Sequence, residues 1–140
     1  APTRVAARTA SQIFPAPSED FVSADVDFAD GARGRITCLS TPPFYARLTL
    51  IGARGWVEVQ EGGNVDKGLP STFVHCKPDG TRESREYAPV NTVRMNFEAW
   101  ADALEGRAPY RFTPDQLLAN IRIFDGVIRS AAKNGEPVAL

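Results

Sequence analysis

The sequence predicts an α+β fold: a mostly antiparallel, open-faced β-sheet with two C-terminal helices packed on one face. Two observations carry that reading. Up to about Tyr87, apolar residues fall in short runs separated by turn signals, whereas after Asn91 they recur at helical spacing. Strands first and helices last argue against alternating βαβ units. The chain has 140 residues, 43% apolar and 24% charged, which suits one globular domain with its own core and excludes disordered, collagen-like and coiled-coil classes. Residues 1–140 therefore read as a single domain.

The elements follow in order. Thr3 to Phe14 has several β-formers and few helix stops, and reads as a strand. In Phe21 to Phe28, Val22, Ala24, Val26 and Phe28 alternate with Ser23, Asp25 and Asp27, the period of a half-buried strand. Asp30-Gly31 supplies a turn, and a partner strand runs from about Gly34 to Leu39. Pro42-Pro43 interrupts any ladder, because neither residue has an N–H to donate. Ala46 to Ile51 and Trp56 to Gln60 form a hairpin about Gly52-Ala53-Arg54-Gly55. Glu61 to Pro70, with three glycines and Asn64, reads as a loop. Ser71 to Lys77 and Thr81 to Tyr87 pair across Pro78-Asp79-Gly80. Val93, Phe97, Trp100 and Leu104 mark one helix face, with Gly106 placed as a left-handed cap. Thr113, Pro114 and Gln116 open a second helix as a capping box. Its stripe is Leu117, Ile121, Phe124, Ile128 and Ala131, and Gly135 and Pro137 stop it. With one helix layer, the other sheet face is wet or meets another surface.

Charge narrows the partners. Lys plus Arg total 16 and Asp plus Glu total 17, so no basic excess draws in nucleic acid. No apolar run reaches the ~18–20 residues that span a bilayer, and no membrane partner is expected. The start, Ala1-Pro2-Thr3-Arg4, lacks an apolar signal core and a Met, which fits a processed start or a piece of something larger. Two cysteines, Cys38 and Cys76, are too few for a disulfide scaffold, read as small buried apolar residues, and leave the cytoplasm as the expected compartment.

The residues carry little overt chemistry. His75 is the only histidine, and its neighbour Cys76 points to the opposite strand face, so the pair makes no dyad. One His and two Cys fall short of a metal site. Gly31-Ala-Arg-Gly34 and Gly52-Ala-Arg-Gly55 lie between strands and read as hairpin turns, not as phosphate cradles leading into a helix. The carboxylate pairs Glu19/Asp20, Asp25/Asp27 and Glu83/Glu86 look solvated. No catalytic, cofactor-binding or metal residue is assigned. Phe44-Tyr45, beside a proline-stiffened loop, could line a substrate pocket or pack at the sheet edge.

The order of these pieces resembles the glucose-fructose oxidoreductase/inositol dehydrogenase/rhizopine catabolism (Gfo/Idh/MocA) family over essentially the whole chain. The resemblance lies in the hairpin from Leu48 to Val59, in the helix from Met95 to Pro109, in Phe112-Thr-Pro-Asp115, and in the tail from Ile128 to Val138. It implies the C-terminal domain of an NAD(P)-dependent oxidoreductase acting on a sugar, polyol or related molecule. It also implies an N-terminal Rossmann domain in cis, absent from these residues, that binds NAD or NADP. The family's catalytic residues match no position here. Phe44 and Tyr45 match the place of substrate-contacting aromatics, and the open sheet face matches a surface used for self-association. The fragment alone is expected to be inactive. The alternatives are a stand-alone, non-catalytic β-sheet dimerisation or ligand-binding module, and a small hydrolase using His75.

Overall fold

The computed structural model describes residues 1–40 and 43–140. Its elements are β1 (Pro2–Ala10), β2 (Phe21–Phe28), β3 (Arg33–Leu39), β4 (Ala46–Gly52), β5 (Gly55–Glu61), β6 (Ser71–Cys76), β7 (Arg82–Tyr87), α1 (Thr92–Leu104), α2 (Pro114–Ala131) and β8 (Val138–Ala139). The α+β class and the antiparallel pairing are as the sequence predicts. The strands form two four-stranded sheets, ordered β3-β2-β1-β8 and β4-β5-β6-β7. Each sheet belongs to one of two compact units: residues 1–40 with 111–140, and residues 43–110.

In the first unit the alternation in β2 sets the core. Val5 faces Val26 and Ala7 faces Ala24 across the β1–β2 ladder. These four are at most 2% exposed, and Ile123, Val127, Val138 and Leu140 pack on them. Burying each valine contributes about 1.5–3 kcal/mol. Small side chains in the sheet let α2 approach closely. A Cβ on Gly126 would lie 2.5 Å from Val5 Cγ1 and would overlap Leu140 Cδ2.

α2 begins as expected: Thr113 Oγ1 accepts the Gln116 N–H, and Gln116 Oε1 accepts the Thr113 N–H. Its packed face differs from the expected stripe. Leu117, Ile121, Phe124 and Ile128 are all exposed, whereas Ile123, Gly126, Val127 and Ser130 meet the sheet. The physical reason is closeness of approach: a glycine and a serine fit where larger side chains would hold the helix off. Ser130 is fully buried; its Oγ accepts the Ala7 N–H at 2.8 Å and donates to the Glu136 carbonyl at 2.7 Å. That satisfies a sheet-edge donor which burial would otherwise strand. Gly135, at φ 90°, then turns the chain into β8, a two-residue strand paired with Arg4 and Val5 that periodicity does not reveal.

The first strand is shorter than expected, ending at Ala10 instead of Phe14. Asp20 is the reason. Its carboxylate accepts the backbone N–H groups of Gln12, Ile13 and Phe14 at 2.7–2.9 Å, so these amides fold into a loop instead of a ladder. Asp20 is also buried, which corrects its expected solvation. The N–H groups of Phe14 and Gln12 lead in holding its carboxyl below the ordinary range, against desolvation.

The second unit is a four-stranded meander followed by α1. At the β4–β5 turn the positive φ falls on Gly55, where a Cβ would collide with the Cys76 carbonyl. The β6–β7 turn is fixed by Asp79, whose Oδ1 accepts the Thr81 N–H at 2.8 Å. Asn91 caps α1 by accepting the Arg94 N–H, and Gly106 ends it at φ 72°. The α1 stripe of Val93, Phe97, Trp100 and Leu104 is exposed. Pro42, half of the expected proline break, lies outside the described residues.

Candidate functional site

Strand register brings Ala46, Glu61, Ser71 and Tyr87 into one row at one end of the second sheet. The connection from Glu61 to Ser71 folds back over this end. Gly62 donates its N–H to the Pro70 carbonyl at 3.1 Å, and a Cβ there would sit 2.5 Å from that oxygen. A single 3-10 turn at Val65–Lys67 then presents Val65 and Leu69. These side chains, with Phe44, Tyr87 and Val90, line a cavity of about 320 Å³. That is the lower end of the size range for small-molecule sites. Its polar lining includes Glu61, Ser71 and Asn64, and Ser71 Oγ donates to Glu61 Oε2 at 2.5 Å. Phe73 braces the Tyr87 ring edge-on, with centroids 6.4 Å apart.

The two expected substrate residues part company. Phe44 lines this cavity, whereas Tyr45 lies under the Arg47 guanidinium, 5.8 Å from its ring centroid, and is not part of the lining. Glu61, Ser71 and Tyr87 were not singled out by sequence. The available signal was the glycine-rich connection flanked by a carboxylate and a hydroxyl, which read only as a loop.

The remaining chemistry-bearing residues stand elsewhere. His75 pairs with Glu83 across the β6–β7 ladder and lines an open depression at the β4–β5 hairpin, with Leu50 and Trp56. Glu83 is engaged by Lys77 at 2.5 Å, and that hydrogen bond chiefly lowers its carboxyl. Cys76 is buried, with its thiol directed to the Lys77 carbonyl at 3.7 Å. Cys38 is exposed, contrary to expectation, because β3 is an edge strand. Among the described residues, no group of three or more His, Cys, Asp and Glu side chains could hold a metal ion. No helix among them is long and apolar enough to cross a membrane. Both G-x-x-G segments sit at hairpin turns followed by strands.

The face of the first sheet opposite α2 carries an ion-pair lattice. Arg35 grips Asp25 through two hydrogen bonds of 2.7 and 3.2 Å, and Arg4 holds Asp27 at 2.5 Å. Arg35 hydrogen bonding keeps Asp25 below the ordinary carboxylate range, and Asp25 in turn raises Arg35. Arg33 stands 3.6 Å from Asp27.

No family model matches the chain, and no curated protein matches it. Solved structures do. An aldose-aldose oxidoreductase from Caulobacter crescentus, complexed with glycerol, aligns at TM-score 0.78 and 18% identity, covering 99% of this chain and 41% of that one. An oxidoreductase from Agrobacterium radiobacter, in complex with NAD+, L-tartaric acid and magnesium, aligns at 0.66 and 16%, covering 99% and 43%. The WlbA dehydrogenase from Bordetella pertussis, in complex with NADH and UDP-GlcNAcA, aligns at 0.58 and 16%, covering 99% and 39%. This chain thus spans about two fifths of the length of the oxidoreductases it matches, and over that length it has the fold of Gfo/Idh/MocA-type oxidoreductases.

Proposed function

We propose that this chain is the substrate-binding and self-association domain of a cytoplasmic NAD(P)-dependent oxidoreductase acting on a sugar, polyol or related small molecule. The supporting observation is the fold likeness, which runs over 99% of this chain yet takes in only 41% of the aldose-aldose oxidoreductase. The sequence has no G-x-G-x-x-G preceding a helix, so NAD or NADP falls to a separate Rossmann domain. In this reading the cavity at Phe44 receives the substrate, and Tyr45, steadied by Arg47, stands outside its lining as a second aromatic contact. The open face of the first sheet, with Arg4, Arg33, Arg35, Asp25 and Asp27, is the self-association surface.

The test is titration of the 140-residue chain with NADH, followed by nicotinamide fluorescence. No saturable change at micromolar concentrations is expected, and tight binding would overturn the assignment of the dinucleotide to another domain. The size of the native polypeptide in source cells addresses the parent enzyme. A species of roughly 35–40 kDa is expected for two or three typical domains. A species of the mass of this chain, 15.2 kDa, would favour the stand-alone binding module instead.

A further inference from the structure

We infer that the cavity at Phe44 selects neutral polyhydroxylated ligands and rejects carboxylated or phosphorylated ones. The inference rests on the proposed substrate role of that cavity and adds the charge its ligand must have. Glu61 is the only charged side chain in the lining among the described residues. Ser71 donates to its Oε2, which fixes the carboxylate and leaves Oε1 to accept a hydroxyl from a ligand. Phe44 and Tyr87 offer apolar ring surface to the C–H groups that alternate with hydroxyls on a polyol.

Two cations near this end of the sheet, Arg47 and Lys67, are turned to other partners. Arg47 covers the Tyr45 ring and stands 3.6 Å from Glu58. Lys67, on the connecting segment, stands 3.5 Å from Asp66. An anionic ligand would therefore meet the Glu61 carboxylate with no guanidinium or ammonium in the lining to offset it.

The experiment compares D-glucose with D-glucuronate, which share a ring and differ by one charge, in separate titrations of the chain followed by NMR at Phe44, Ser71 and Tyr87. Glucose should give saturable shifts, and glucuronate should bind at least about fivefold more weakly, the repulsion of two charges some 4 Å apart in water. The gap should close in 1 M salt, where the screening length falls to about 3 Å. It should also close in E61Q, whose fold is checked by circular dichroism. Equal or tighter binding of glucuronate at low salt overturns the charge inference and leaves the cavity as a sugar site. A gap that survives in both E61Q and high salt overturns the role of Glu61. If neither glucose, glycerol nor inositol shifts these residues, the substrate role of the cavity falls, and this inference with it.

Discussion

The two units divide their apolar residues in opposite ways. The first places Val5, Ala7, Ala24 and Val26 inside and ties the ends of its chain together through buried Ser130. In the second, Cys76 alone is buried among the described residues, while Leu48, Leu50 and Ile51 on β4 and Phe97 and Trp100 on α1 stand exposed. Similar strand content thus gives one unit held by its interior and one held mainly by its ladders and turns. The lesson is that secondary structure alone does not say where stability resides. Small residues at the right register do that, since they decide how closely a helix can approach a sheet.

This contrast can be broken most severely at Gly126. Gly126→Val should cost about 3 kcal/mol by overpacking against Val5 and Leu140, read from the midpoint of urea unfolding. A loss under a third of that would mean α2 can ride away from the sheet without penalty. Next in size comes Ser130→Ala, which strands the buried Ala7 N–H and should cost about 2 kcal/mol. Its counterpart, Ser71→Ala, removes an exposed hydrogen bond and should change stability by less than about 0.5 kcal/mol. Parity between the two serines would remove the distinction between the units. Leu50→Ser should likewise stay within about 0.5 kcal/mol, and a larger fall would reveal a packed core in the second unit.

The smallest effect is the pH response of the loop at 11–19. Asp20 has a lowered carboxyl, so its contribution is complete above the unfolded value near 3.9 and disappears as pH falls through the folded one. Protection of the Gln12, Ile13 and Phe14 amides, relative to their free exchange rates, should therefore hold at pH 5 and fall as pH drops through the lowered Asp20 value, ahead of protection at Val5. Simultaneous release of both sets would tie the loop to global unfolding. In Asp20→Asn the three amides should already exchange fast at pH 7, with no such acid step.

Much of the fold was legible because the signals were local. The alternation in Phe21 to Phe28, the turn at Asp79-Gly80 and the Thr113–Gln116 box each need only a few neighbouring residues, and each stands where the sequence placed it. What was illegible depended on partners far along the chain. The packed face of α2 is set by Val5 and Leu140, not by the hydrophobic spacing within the helix. β8 has two residues and no period of its own. In the sequence, Gly135 reads as a helix stop, and Ser130 and Val138 stand out only through the family likeness. In the fold they are three fasteners on β1: a buried hydroxyl, a left-handed turn and a ladder pair. At the candidate site Phe44 was legible as an aromatic near a loop, but Glu61 and Ser71 gained meaning only when register set them side by side.

The bond between Ala7 and Ser130 spans 123 positions of sequence. During synthesis, β1 leaves the ribosome long before the helix and strand that cover it. The meander at 43–110 is made of neighbouring hairpins and can assemble as it emerges. β1 and β2 must wait, with one apolar face uncovered, until α2 and β8 have emerged. Loss of Val138 to Leu140 would therefore be felt first some 130 positions earlier in the sequence, as fraying of β1.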